Sequence, residues 1–313
     1  MELRELETDS PSLVSIGLPV YNGELFLAAA LDSFLAQTYR HFELIISDNA
    51  STDGTEEICR RYAKGDPRIR YFRCDANVGP RRNFNRVFEL AQGKYFKWAA
   101  HDDEYAPDFL SKCVAALERD ASVVLSYPRV LLIDEHSKPL TKRRYPVDTT
   151  LTRPQDRFAQ TLWVDLGSPA IFGVVRRDVL AKTPLMGFTH AADQVLLGEL
   201  ALRGRFFEIP EELLFHREHD HRSVRDNPTR QKLAIWWAYG RGTDRIVLPM
   251  WRRLYEQTGS VWRTPLRIGE RLGSWFQLCR WIRYNWRAMA EDVKLAVKHR
   301  SASLENTAKT SAE

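Results

Sequence analysis

No stretch of this chain stays apolar for the roughly 18 residues a helix needs to cross a bilayer, so no bilayer-spanning helix is expected. There is no Cys-x-x-Cys pair. The four cysteines, Cys59, Cys74, Cys113 and Cys279, are scattered, which speaks against a zinc site or a disulfide framework and for reduced structural thiols. No segment repeats. Residues 1–10 are polar and acidic, unlike a secretory leader. These absences predict a cytoplasmic protein, or one peripheral on the inner face of a membrane.

What is present is ordinary in bulk and uneven in distribution. The 313 residues are 44% hydrophobic and 28% charged, as in a soluble globular protein. The net charge of +5 hides a division. Residues 230–300 hold fifteen Lys and Arg against five Asp and Glu, a net +10, which leaves −5 for the rest. The same region carries seven of the nine tryptophans.

The order of elements points to an α/β fold. Val14 to Val20 is a short apolar run bounded by turn residues, a buried strand. Helical spacing follows at Leu27, Leu31, Phe34 and Leu35. Phe42 to Ile46 is a second strand, and Ser47 to Gly54 a polar loop in which Ser51, Thr52 or Asp53 can cap a helix over 55–64. A third strand over 68–73, a helix over 81–91 and a fourth strand through Tyr95, Phe96 and Trp98 complete β-α-β-α-β-α-β, the signature of a mostly parallel sheet. Further on, a helix over 107–119, strands at 122–127, 130–133 and 171–175, and a helix over 194–203 are expected. Short strands at 206–209 and 213–215 follow, with a surface loop over 137–157.

The fourth strand runs into His101, Asp102, Asp103 and Glu104. Adjacent carboxylates repel unless a positive group lies between them. At the C-terminal end of a strand, where open α/β sheets bind ligands, a hard divalent cation bridging to phosphate oxygens fits. The same acids would also suit the start of the next helix.

In combination these residues resemble glycosyltransferase family 2. The resemblance rests on Leu18-Pro-Val-Tyr-Asn22, on Phe42-Glu-Leu-Ile-Ile-Ser-Asp-Asn-Ala-Ser-Thr-Asp53, on Asn77-Val-Gly79, and on Gly93-Lys-Tyr95 leading into His101-Asp-Asp103. It implies a GT-A fold, a Rossmann-like nucleotide-binding sheet with a smaller acceptor half. It also implies inverting transfer of a sugar from a nucleotide-diphosphate donor, a UDP-sugar first among them, with Mg²⁺ or Mn²⁺. By the family pattern Pro19, Tyr21 and Asn22 would line the nucleotide pocket and Asp48 would meet the base. Asn49 stands where the family commonly has a second Asp. Asn77 and Arg81 would also touch the nucleotide. Asp102 would lie nearer the ribose and Asp103 would bind the metal. Asp193, before the helix over 196–203, would be the general base, with Glu199 a weaker competitor. His219, within the cluster of His216, Arg217, His221 and Arg222, would contact metal or phosphate, and His101 would support the acids.

The expected division is a tail over 1–11, the GT-A domain over 12–225, a helical basic Trp-rich extension over 226–300, and a disordered tail over 301–313. Leu272, Trp275, Phe276, Cys279, Ile282, Trp286, Met289 and Val293 share one helical face, edged by Arg280, Arg283, Arg287 and Lys294. That pattern suits either a membrane interface, with peripheral contact through 260–300, or packing on the catalytic half. Nucleic acid is not expected, because the basic residues are mixed with bulky aromatics and no binding motif is present. The acceptor implied is a glycan or a lipid-linked sugar. A sugar-phosphate nucleotidyltransferase would want a Gly-rich basic loop where Pro19-Val-Tyr-Asn22 stands. A nucleotide-sugar or glycan binder without catalysis would not need both Asp103 and Asp193.

Overall fold

The computed structural model describes residues 11–143, 148–163, 168–220, 222–239 and 247–310. Its first half alternates as the sequence predicts: β1 (Val14–Val20), α1 (Leu27–Leu35), β2 (Phe42–Asp48), α2 (Thr55–Gly65), β3 (Ile69–Arg73), α3 (Pro80–Glu89) and β4 (Tyr95–Trp98). β1 and β2 are buried at all seven positions and pair in parallel from Val14 opposite Phe42 to Val20 opposite Asp48. Such continuous apolar runs are what a sheet covered on both faces requires. Gly17 marks the closest approach. A Cβ there would lie 2.7 Å from Val87 Cγ2 and 2.8 Å from Phe96 Cζ, so a side chain would push α3 off the strand.

The second half is β5 (Glu104–Tyr105), α4 (Phe109–Arg119), β6 (Val123–Ile133), β7 (Pro139–Arg143), α5 (Pro154–Trp163), a 3-10 turn (Ser168–Phe172), β8 (Val174–Arg176), α6 (Arg177–Leu180), α7 (Ala192–Arg203) and β9 (Arg205–Arg217). The sheet runs β3-β2-β1-β4-β8-β6-β9-β5, with β7 paired to β6. The four strands from β3 to β4 are parallel, while β8 enters antiparallel to both β4 and β6.

Several expectations need correcting here. The two strands read at 122–127 and 130–133 are one, as are those at 206–209 and 213–215. Prolines at 128 and 210 look like breaks in sequence, but the β6–β9 ladder absorbs them by shifting register around Pro128 and Arg129, as bulged strands do. The loop expected over 137–157 contains β7 and the start of α5. Of the strand expected over 171–175, Ile171 and Phe172 belong to the 3-10 turn and only Val174 and Val175 to β8.

The remaining helices are α8 (Ser223–Asp226), α9 (Arg230–Tyr239), α10 (Pro249–Arg263) and α11 (Ile268–Thr310). α11 continues through 310, past residue 301, where composition predicted a disordered tail. Residues 1–10 of the expected N-terminal tail, 311–313 and His221 lie outside the described residues. The helices of the extension share a second core with the α/β half: Phe158 and Leu162 of α5 and Leu202 of α7 pack with Met250, Val261, Leu278, Trp281 and Met289. Glu199, almost wholly buried, joins α7 to α10 by accepting from Arg203 and Arg263 at 2.7 Å each.

One buried charge-bearing group stands out in the main core. Lys97 of β4 is fully buried. Its Nζ donates to the Trp98 carbonyl at 3.0 Å and lies 3.8 Å over the Tyr105 ring, with Phe109 and Phe34 rings at 4.9 and 5.1 Å. Burial pushes this amine down to about 7 from 10.5.

Candidate active site

The topology brings the acidic run and the histidine run together. Beyond β4 the chain stays beside β1 for one more residue, Ala99 N donating to Gly17 O at 2.8 Å. It then crosses to form β5, which pairs antiparallel with the end of β9, Glu104 opposite Phe215 and Tyr105 opposite Leu214. Residues 101–103 therefore face residues 216–219 across a strand pair.

Alternation along that backbone sends the two aspartates in different directions. Asp102 lines a cavity of about 590 Å³, within the range of small-molecule sites. Its Oδ2 lies 2.9 Å from His219 Nε2. Burial alone would raise the Asp102 carboxyl, but the charge of His101 and the hydrogen bond and charge from His219 overcome it, holding the group well below the usual carboxylate range. Asp103 is fully buried and is not part of the cavity wall. Its carboxylate takes His216 Nδ1 at 2.9 Å and the Arg217 backbone N–H at 3.1 Å. His216 in turn accepts from Arg222 Nη2 at 2.8 Å through Nε2. Burial would lower the His216 pKa, but Asp103 outweighs it and raises it.

Arg217, buried, fastens this end of the sheet. Its guanidinium donates to the carbonyls of Asp102 at 2.9 Å, Asp134 at 2.9 Å and Glu135 at 3.1 Å, and to the Glu104 carboxylate. Asp102 and Asp103 thus hang from an anchored backbone.

The adjoining wall comes from the loops after β1 and β2, which are laced to each other and pack against His101 and His219, the Phe26 ring 4.7 Å from that of His219. Asn22 holds φ at 53°, a left-handed conformation that Asn tolerates. Its N–H donates to Ser51 Oγ at 2.9 Å while its Oδ1 accepts from Thr52 N at 2.9 Å. Gly23 N donates to Thr55 Oγ1 at 2.8 Å, and Glu24 N to Asp53 Oδ2 at 3.1 Å. Asp53 also accepts from Thr55 N at 3.1 Å, but Gly54 is the N-cap of α2 and no side chain caps the helix, so none of Ser51, Thr52 and Asp53 takes the capping role expected of them.

Pro19, Tyr21, Asn22 and Asn77 line the cavity, together with Asp102, His219 and Asp193. Asp48 and Arg81 do not. Asp48 is fully buried beneath the loop and accepts from Ser51 N and Tyr71 OH at 2.8 Å each. Asn49, the residue that departs from the family pattern, faces the cavity instead. Its Nδ2 donates to Asn77 Oδ1 at 2.9 Å, and its Oδ1 accepts from Val78 N at 2.8 Å. The Arg81 guanidinium lies 3.7 Å over the Phe188 ring.

Asp193 sits in the first turn of α7, where its Oδ1 accepts from Gln194 N at 2.8 Å. His190, one turn earlier, also lines the cavity. Burial, then the charges of Arg253 and Arg230, push its pKa down to about 4, so it is neutral at pH 7. Glu199 points away into the second core. Sequence reasoning missed Trp236, Trp237 and Arg253, which close the cavity from α9 and α10. Trp237 Nε1 donates to Gly187 O at 2.9 Å, and its ring lies 5.4 Å from Phe84. The adjacent tryptophans at 236–237 were the available signal.

Among the described residues no three His, Cys, Asp or Glu side chains are gathered as a metal cage. Mg²⁺ and Mn²⁺ sites that act on phosphates need few protein ligands, because phosphate oxygens and water complete the shell. Asp102 and His219, converging at the cavity wall, are a donor set that fits this kind of ion. Asp103, turned toward His216 and Arg217, is not aimed at it.

The model of the glycosyl transferase family 2 matches residues 15–182. An uncharacterized glycosyltransferase of Rickettsia typhi is 37% identical over 134 residues, 42% of this chain and 41% of its own. The putative teichuronic acid biosynthesis glycosyltransferase TuaG of Bacillus subtilis is 33% identical over 135 residues, 43% of this chain and 53% of its own. The chain thus spans less than two thirds of either relative. S. aureus TarS in complex with UDP superposes with a TM-score of 0.60 at 15% identity, covering 88% of this chain and 72% of that one. That likeness is one of fold.

Proposed function

We propose, on the premise that the chain belongs to glycosyl transferase family 2 and has the GT-A fold, that it transfers a sugar with inversion from a nucleotide-diphosphate donor to a hydroxyl of a glycan or lipid-linked acceptor. The observation that carries this reading is one cavity lined by both the Asp102–His219 pair and Asp193. The nucleoside would lie against Pro19, Tyr21, Asn22, Asn49 and Asn77, with the diphosphate toward Asp102. Asp102 and His219 would hold Mg²⁺ or Mn²⁺, and such an ion neutralises the charge that builds on a departing diphosphate.

In an inverting displacement the acceptor oxygen bonds to the anomeric carbon as the bond to the diphosphate breaks on the far side. Asp193 is the group assigned to take the acceptor proton. Trp236 and Trp237 offer flat apolar faces of the kind that hold sugar rings, so the acceptor is assigned to their side. TarS has been solved with UDP and with UDP-GlcNAc, which makes a UDP-sugar the first donor to try. The name of TuaG points to cell-envelope polymers. No helix among the described residues is long and apolar enough to cross a membrane, so a lipid-linked acceptor would be met from the surface, at the membrane's inner face.

Calorimetry of UDP with Mn²⁺ tests the donor half of this reading. Asp102→Asn should weaken Mn²⁺-dependent UDP binding by about tenfold or more. Unchanged affinity would remove the assignment.

A further inference from the structure

The elbow between α10 and α11 presents an apolar surface that neither core uses. α11 gives Ser274, Leu278, Trp281 and Met289 to the interior. The stripe singled out by sequence is rotated from this, so only Met289 of it is fully interior, and Leu272, Phe276 and Trp286 face outward. At the elbow Trp262 is 60%, Ile268 82%, Leu272 64% and Phe276 62% exposed. A large apolar patch of this kind marks an interaction site.

Its surroundings say what covers it. From 262 to 287 the chain has six arginines and a single acid, Glu270. Arg263 is committed to Glu199, and Glu270 accepts from the Arg267 backbone at 2.8 Å. The Arg271 guanidinium lies 5.5 Å over the Trp262 ring, and Trp262 packs edge-on against Trp275 at 6.0 Å. Arg267, Arg280, Arg283 and Arg287 are exposed on neighbouring turns. A second copy of this chain would set these arginines against each other, since a two-fold contact is self-paired.

We infer that this elbow is an interfacial anchor that inserts Trp262, Ile268, Leu272 and Phe276 among the lipids of an anionic membrane, with the arginines at the headgroups. Tryptophan beside arginine, around apolar side chains, is the composition that partitions to this depth. Each exposed arginine adds attraction to an anionic surface that salt then screens. The inference deepens the reading of a lipid-linked acceptor and rests on it only for its purpose; the binding itself needs no transfer reaction.

Co-sedimentation of the full chain with vesicles of phosphatidylcholine alone and of phosphatidylcholine with phosphatidylglycerol tests it. Binding should favour the anionic vesicles and fall as salt rises. Substituting Trp262→Ser, Ile268→Ser and Phe276→Ser together should lower partitioning by about tenfold or more. Arg280→Glu with Arg283→Glu should abolish the preference for anionic lipid. Both variants change exposed positions, so thermal unfolding and UDP calorimetry should stay as in the parent. Vesicle binding without UDP binding would overturn the UDP-donor assignment and leave the anchor standing. Equal pelleting of parent and triple variant would overturn the anchor, as would a parent that ignores anionic vesicles. So would a dimer in light scattering that the triple variant dissolves.

Discussion

Replacing Lys97 by Met should make this protein more stable, by an amount that depends on pH in a defined direction. The amine is enclosed by Phe34, Tyr105 and Phe109, and no carboxylate is within hydrogen-bonding reach of it; its hydrogen bond goes to the Trp98 carbonyl. Its pKa falls from 10.5 to about 7. At 1.36 kcal/mol per pH unit, that fall corresponds to about 5 kcal/mol of cost for carrying the proton in the folded state. Met keeps the linear stem but loses the hydrogen bond and the ring contacts, worth about 1–2 kcal/mol together. The net gain near neutral pH should be about 2–4 kcal/mol. Between about 7 and 10.5 the unfolded chain holds a proton that the folded chain has released, so parent stability rises with pH across that window. The advantage of Lys97→Met is therefore full below about pH 7 and shrinks as pH rises toward 10.5. Urea unfolding of both proteins at about pH 6 and about pH 9 reads this directly. A Met variant no more stable than the parent at the lower pH, or an advantage that grows with pH, would refute the reasoning.

The other perturbations address the cavity and the second core. Asp193→Asn should leave UDP affinity within about twofold and reduce transfer by about 10²–10⁴; surviving transfer would assign the proton to another group. Asp103→Asn should keep Mn²⁺-dependent UDP binding while lowering the thermal midpoint, because Asp103 supports His216 and Arg217 and lies behind the cavity wall. Loss of UDP binding with an unchanged midpoint would restore Asp103 as the ligand. Glu199→Ala should cost about 2–3 kcal/mol in urea unfolding, less than for a fully buried triad because Arg263 is 41% exposed. A neutral result would show the pair of arginines is not held there.

Much of the first half, from β1 to β4, is legible in the sequence because parallel strands announce themselves as continuous apolar runs, and because loop residues such as Ser51, Thr55 and Asn22 are chosen for specific hydrogen bonds. Which aspartate faces the cavity is not legible, since neighbours at a strand end point oppositely and only the pairing of β5 with β9 fixes the phase. Asp48 shows a related limit. A carboxylate after a strand looks like a ligand contact, yet here Tyr71, distant in sequence, and the Ser51 N–H fold over it. Prolines at 128 and 210 hide two long strands because ladder slippage is a property of the pair. Trp236 and Trp237 were visible as residues, but their place in the cavity depends on Gly187 and Phe84, which come from other segments.

The shared packing of Phe158, Leu162 and Leu202 with Trp281 and Met289 makes the C-terminal helices a lid on the α/β half's own apolar underside. Shortening the chain to about residue 225 would lay that underside bare and also remove Trp236 and Trp237 from the mouth of the cleft. Grafting experiments that exchange acceptor preference between relatives should therefore move α5, α7 and everything after β9 as one piece, because a cut anywhere along that seam exposes oil on both sides.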